Sequence, residues 1–237
     1  MEKLIAAKRS VIVACDVLTN GDLAKLVAQT SPVPGIGGYK IGSLLTMRYG
    51  LGRVVEIVRA NTNLPIIYDH QKAATDIPEL GEEFGKVCKS GEAVAVILFP
   101  FGGATTEREW IKACQGEGLI VLVGGHMTQP EFLTSEGGFI ADDAPEKIFK
   151  IAMGSGVRDF VVPGNKVGYV RKYRQLFADE LDEGNFTLYA PGFITQGGVI
   201  TETGKMAGEN WHAIVGSAIY KAPDITKAAE EITSQII

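Results

Sequence analysis

The chain predicts a (β/α)8 barrel. Three observations carry that expectation: a length of 237 residues, eight short apolar runs spread along it, and helical periodicity in the segments between them. Continuous apolar runs, as opposed to alternating ones, belong to parallel strands buried on both faces. Eight such strands joined through helices fit a closed barrel at this length better than an open doubly wound sheet. At 46% hydrophobic and 22% charged the chain can build one large core, and no linker or low-complexity tract divides it, so residues 1–237 are read as a single domain.

In order, the first run is Val11 to Asp16, followed by Thr19 and Asn20, either of which can cap a helix carrying Leu23, Leu26 and Val27. Gly38 to Ile41 and Leu64 to Asp69 come next. Pro78 then opens a helix expected to bury Leu80, Phe84, Val87 and Cys88 and to end at Gly91. Ala93 to Phe99 and Leu119 to Val123 are the fourth and fifth runs. The stretch from Met127 to Asp143 reads as a loop over the site, after which Asp143 caps a helix with Ile148, Phe149 and Ile151. Asp159 to Pro163 is the sixth run, with Asn165 as the cap of a helix containing Val167, Val170, Leu176 and Phe177. Phe186 to Ala190 is the seventh, followed by the least marked of the helices. Ala213 to Gly216 is the eighth, and Pro223-Asp224 starts a last helix with Ile225, Ala228, Ala229 and Ile232.

Bulk charge excludes several classes of partner. A net charge of −5 and a pI near 5.3 leave no broad basic surface, so nucleic acid is not expected and any anionic ligand must meet a local site. Cys15, Cys88 and Cys114 form no CxxC pair, which points to a reduced, cytoplasmic protein. No apolar run approaches the roughly 18 residues of a membrane span, so no membrane association is expected. His70, His126 and His212 share no metal-ligand spacing and read as structural, and Cys15 reads as a small core residue.

Barrel enzymes place their chemistry at the C-terminal ends of the strands. The unusual polar residues fall there: Asp16 after the first run, Lys40 in the second, Asp69 with Lys72 and Asp76 after the third, and His126 and Thr128 after the fifth. Pro191 to Gly198 follow the seventh run and Gly216-Ser217 the eighth. Charges at the mouth of a core need a reason, because burial is costly without pairing. If Lys40, Asp69, Lys72 and Asp76 converge, the alternation of sign keeps both lysines protonated and both acids ionised, suited to stabilising a carbanion beside an ammonium that can deliver a proton. The alternative is a structural ion network closing the core. The glycines Gly192, Gly197 and Gly198 suit either backbone contacts to a phosphate or simple turns, Gln196 a ligand or the loop itself, and Thr128 with Gln129 an amide contact or a turn.

Read together, these motifs resemble the orotidine 5′-monophosphate decarboxylase family over nearly the whole length. They are Ala14-Cys15-Asp16-Val17, Tyr39-Lys40-Ile41-Gly42, the run Asp69 to Pro78, Met127-Thr128-Gln129-Pro130, Pro191-Gly192 with Gln196-Gly197-Gly198, and Ile214-Val215-Gly216 with Ile219-Tyr220. The resemblance implies a decarboxylation that uses no cofactor and no metal. In it Lys72 protonates carbon 6 of the pyrimidine, Asp69 lies against the substrate carboxylate, Lys40 completes the network and binds ribose, and Asp16 binds the ribose hydroxyls. Asp76 resembles an acid donated across a homodimer interface, giving composite sites. Thr128 is implied at the pyrimidine and Gln196, Gly197 and Gly198 at the phosphate, with Pro191, Gly216 and Ser217 alongside. Sister groups, the metal-dependent 3-keto-gulonate-phosphate decarboxylases and hexulose-phosphate synthases, are similar but carry an acid where Lys40 stands.

Two departures from the family pattern are visible. The charged motif, Asp-x-Lys-x-x-Asp in the family, here reads Asp69-x-x-Lys72-x-x-x-Asp76, which on a continuing strand puts Asp69 and Lys72 on opposite faces unless a bulge or early turn intervenes. The family's phosphate-binding arginine after the glycine of strand eight is replaced by Ser217, leaving Lys166, Lys205 and Lys221 as candidate cations.

Overall fold

Buried on both faces, the eight apolar runs pair edge to edge and in sequence order in a computed structural model that describes residues 3–70, 73–194 and 196–236. The strands are β1 (Arg9–Ala14), β2 (Ile36–Gly42), β3 (Ile66–Asp69), β4 (Ala95–Leu98), β5 (Ile120–Gly124), β6 (Asp159–Val161), β7 (Thr187–Pro191) and β8 (Trp211–Val215), and β8 pairs back on β1 to close the barrel. The surrounding helices are α1 (Asn20–Thr30), α2 (Ser43–Tyr49), α3 (Leu51–Arg59), α4 (Leu80–Ser90), α5 (Ala104–Gly116), α6 (Ala144–Gly154), α7 (Val167–Leu181), α8 (Ile200–Ala207), α9 (Ser217–Tyr220) and α10 (Ile225–Thr233). Among the described residues no helix is long and apolar enough to cross a membrane.

Strand alternation sorts the core into two layers. Ile12, Ala14, Ile67, Ala95, Ile97, Leu122, Val161, Tyr189 and Ile214 fill the barrel interior, with Leu4 and Ile5 packed into the same cluster. Val11, Val13, Tyr39, Ile41, Ile66 and Val96 belong to the larger cluster shared with the helices. Gly124 is required where Phe99 crosses the interior, since a Cβ there would lie 2.3 Å from the ring. Away from the strand tips, the Tyr189 hydroxyl donates to Asp159 (2.8 Å), whose carboxyl burial pushes up to about 6. Ser10 Oγ and His212 Nδ1 lie 2.7 Å apart, and burial pushes the imidazole down to about 3.

Side chains cap two of the helix starts. Thr19 is the cap of α1, its Oγ1 accepting from Asp22 N at 3.1 Å, and Asp224 caps α10 by accepting from Lys227 N at 3.0 Å. Three expectations need correction. Asp143 stands at the start of α6 but makes no side-chain cap, pairing with Lys147 at 2.6 Å. Asn165 does not cap α7; Lys166 occupies that position, and the Asn165 amide is used elsewhere. In α4, Leu80 and Val87 are exposed by 43% and 60%, and the buried stripe is Gly81, Gly85 and Cys88. The reason is close packing on α5: a Cβ at Gly81 would sit 2.9 Å from the Trp110 ring, so only the smallest residue fits between the helices.

Candidate active site

The register of β1, β2 and β3 brings three charges together. Lys40 pairs in register with Ala14 and Ile67, and Asp69 with Gly42, so Lys40 and Asp69 project to the interior at successive levels of neighbouring strands. Lys40 Nζ lies 2.9 Å from Asp69 Oδ2 and 3.5 Å from Asp16 Oδ1, just past β1. Lys40 and Asp69 are buried, whereas the Asp16 side chain is 44% exposed. Burial alone would lower the Lys40 pKa, but the Asp69 and Asp16 carboxylates outweigh it and the ammonium is held above its ordinary range. Gly42 leaves room for the cluster, because a Cβ there would approach Asp16 Oδ1 to 2.8 Å.

These charges form one wall of a cavity of about 360 Å3 at the C-terminal ends of the strands. Of the residues expected in the site, Asp16, Lys40, Asp69, Thr128, Pro191, Gln196, Gly216 and Ser217 line it, together with His126, Gln129, Gly192 and Tyr220 and the apolar Ile97, Phe99 and Ile214. Gly197, Gly198 and Asp76 do not. Lys72 lies outside the described residues, as does Thr195.

The strand stops at Asp69, so face alternation does not run on through the charged motif. The far end of the loop is anchored to the next unit. Ala73 O accepts from Phe99 N at 3.0 Å, Asp76 O from Thr106 Oγ1 at 3.1 Å and Ile77 O from Trp110 Nε1 at 3.0 Å. Ala74 takes a left-handed φ of 66°, strained for a residue with a Cβ and evidence of a tight reversal. Asp76 is exposed, its Oδ1 accepting from Ile77 N at 2.7 Å.

On the opposite side, the loop after β5 is an internally bonded unit. Glu136, in a helical turn at Thr134–Glu136, accepts from Phe132 N and Leu133 N and from both approaches of Lys166 Nζ at 2.8 Å. Lys166 also lies 2.9 Å from His126 Nε2. An ammonium only donates, so Nε2 accepts, and the remaining ring proton belongs on Nδ1, facing the Tyr173 hydroxyl at 2.8 Å. Burial, and then the Lys166 charge, push His126 down to about 4, so this cavity-lining imidazole is neutral at pH 7.

The loop after β7 is closed by its own backbone hydrogen bonds. Gly197 N–H donates to Ile194 O at 3.1 Å and Gly198 N–H to Gly192 O at 3.1 Å, so contact to an anion through those two groups requires the loop to rearrange. Lys205 and Lys221 are exposed and do not line the cavity, and Lys166 is engaged by Glu136. Among the described residues Lys40 is the cation that lines the cavity. Sequence reasoning left Glu136 and Tyr173 unremarked, since nothing in their spacing marks them. Asn165 carried a usable signal, lying just beyond a strand end where barrel sites are built.

The model of the orotidine 5′-phosphate decarboxylase / HUMPS family matches residues 9–232. The orotidine 5′-phosphate decarboxylase of Methanosarcina barkeri is 29% identical over 232 residues, covering 97% of this chain and 95% of that protein. That of Thermoplasma acidophilum is 27% identical over 188 residues, covering 79% and 78%. Among solved structures, orotidine 5′-monophosphate decarboxylase from Methanocaldococcus jannaschii complexed with inhibitor BMP superposes with a TM-score of 0.83 at 21% identity, covering 96% of this chain and 98% of that one. The Pyrococcus horikoshii enzyme gives 0.78 at 23%, covering 95% and 98%. With all but the chain's extremities matched by the family model, this protein belongs to the orotidine 5′-phosphate decarboxylase / HUMPS family.

Proposed function

We propose that this protein is an orotidine 5′-monophosphate decarboxylase of pyrimidine synthesis, converting its substrate to uridine monophosphate and carbon dioxide without a cofactor. The observation that carries the reading is the buried Lys40 ammonium between Asp69 and Asp16 on the wall of the cavity. In the family's metal-dependent branch an acid stands at the Lys40 position; here a fixed cation stands between the two carboxyls where a metal would have to bind.

In this reading Asp69 meets the substrate carboxylate, and that repulsion is relieved as neutral carbon dioxide departs. The bonding electron pair remains on carbon 6, the Lys72 ammonium supplies its proton, and solvent reprotonates Lys72. Lys40 and Asp16 bind ribose, and Thr128 contacts the pyrimidine. Gln196, Gly197, Gly198, Pro191, Gly216 and Ser217 form the phosphate end.

An ultraviolet assay with orotidine 5′-monophosphate tests this. Turnover should survive chelation and fall by about 10⁴-fold or more in Lys72→Ala while the variant stays folded. No turnover by folded wild type, or turnover lost on chelation and restored by magnesium, would refute it.

We also infer a homodimer with composite sites in the cytoplasm. Asp76 is exposed and lies off the cavity of its own chain, and Ile77, Leu80 and Val87 form exposed apolar surface around it and along α4. Three buried free cysteines fit a reducing compartment. Mixing inactive Lys72→Ala with inactive Asp76→Ala after dissociation should restore about a quarter of wild-type activity, because half the dimers carry one intact site. Failure to recover activity from verified hybrid dimers would remove Asp76 from the partner's site.

A further inference from the structure

Two loops with substrate-facing residues approach the cavity from either side of the segment joining β6 to α7. One carries Thr128 and the other Gln196. Between them sits Asn165. Its amide Nδ2 donates to Thr128 O at 2.9 Å and to Gln196 O at 3.4 Å, so a single side chain holds the main chains of both loops. Side chains joining backbone groups this way fix the residues they grip as well as the loops themselves.

The surroundings are built around that amide. Gly192, with φ +104°, leaves space that a Cβ would fill to within 3.1 Å of Asn165 Oδ1, and a Cβ at Gly198 would come within 3.2 Å of Asn165 Cα. The segment itself is anchored: Gly164 N–H donates to Pro191 O at 2.8 Å, and Thr203 Oγ1 donates to Gly164 O at 2.8 Å. Asn165 Oδ1 is buried with no hydrogen-bond partner. Leaving such an acceptor unsatisfied is unfavourable. The opposite amide orientation would set oxygen against two carbonyl oxygens, so the two donor contacts fix which way the group faces.

We infer that Asn165 is a positioning residue that couples the Thr128 loop to the Gln196 loop, so that the pyrimidine and phosphate ends of a bound nucleotide are gripped together. The inference rests on the decarboxylase reading for the identity of the nucleotide. It places no new group against the substrate; Asn165 acts through the two carbonyls it holds.

Uridine monophosphate binding by calorimetry tests it without requiring turnover. In the wild-type background Thr128→Ala and Gln196→Ala should be non-additive, with the double variant departing from the product of the single effects by about threefold or more. In an Asn165→Ala background the same two changes should become additive, and Asn165→Ala alone should weaken binding by about tenfold. In the decarboxylation assay Asn165→Ala should raise KM by a similar factor with a smaller change in kcat, a split that a general loss of folded protein would not give. Asn165→Asp keeps the shape but presents oxygen to both carbonyls and should be at least as impaired as Asn165→Ala. If Asn165→Ala is not recovered folded, Asn165→Ser, too short to span both carbonyls, serves in the same cycle.

Equal coupling with and without the Asn165 amide, or unchanged affinity in the variant, would overturn the inference. Wild type that neither binds uridine monophosphate nor turns over the substrate would overturn the decarboxylase reading instead.

Discussion

Asp69 and Glu107 are both buried carboxyls, the first at the start of the charged loop in sequence and the second next to a residue that contacts its far end. Asp69 ends the strand that leads into it, and Glu107 lies in the first turn of α5, beside the Thr106 that holds the loop's Asp76 carbonyl. Asp69 has the Lys40 ammonium at 2.9 Å. Glu107 is 1% exposed, its Oε1 has no hydrogen-bond partner, and burial pushes its pKa up to about 8 against a small opposing pull from Arg108. Burial by itself therefore does not decide whether a carboxyl is charged. At the barrel mouth a buried cation lies against the carboxyl, while in α5 burial acts on Glu107 with only the small opposing pull of Arg108 and raises its pKa.

Removing the partner should break this contrast most strongly. Lys40→Ala removes the ammonium that lies 2.9 Å from Asp69 and should lower stability by about 3–5 kcal/mol in denaturant titration, with loss of turnover. The double change Lys40→Met with Asp69→Leu replaces the pair by apolar groups of similar size and should recover most of that stability without recovering activity. If Lys40→Ala were as stable as wild type, the pair would not be a buried ion pair in solution.

A smaller effect is expected at Glu107. Its folded pKa is raised above the unfolded value, so between about pH 4.5 and 8 the folded state keeps a proton that the unfolded state has lost, and stability falls as pH rises through that window. Glu107→Gln removes this dependence. It should match wild type near pH 4.5 and become more stable by about 1–2 kcal/mol near pH 8, measured by denaturant titration at each pH. A constant difference at every pH would show that Glu107 is not a buried acid. Smallest of all, Lys86→Ala breaks the exposed pairs to Glu82 and Glu83 on α4 and should leave Tm unchanged within error.

Much of this arrangement was legible in the residues. All eight strands form near their expected positions, because parallel strands buried on both faces leave continuous apolar runs. Asp16, Lys40 and Asp69 were each legible as charged residues where apolar strands end, but convergence was expected of Lys40 and Asp69 with Lys72 and Asp76, and the pairing of Lys40 with Asp16 was not read. Less was legible about packing between helices. Leu80 and Val87 looked like core because they are apolar, yet glycines make the contact, and close approach leaves no hydrophobic signal. Helix α5 was not singled out because its buried face mixes Thr106 and Glu107 with Trp110, Ile111 and Cys114. Asn165 was read as a cap because caps are local and sequence reading favours local partners. Its actual contacts lie 37 and 31 residues away along the chain. The lengthened charged motif raised a question of faces that the strand end at Asp69 changes, since the reversal through Ala74 replaces a continuing strand.

Of the chain's two tryptophans, Trp211 is buried in β8, while Trp110 packs beside Phe84 and donates its indole N–H to Ile77 O at the end of the charged loop. The protein thus carries an intrinsic optical probe at the outer end of that loop. In a Trp211→Phe background, the emission of Trp110 becomes a direct, label-free readout of whether the segment bearing Asp76 keeps or leaves its seat when a nucleotide or a second subunit arrives.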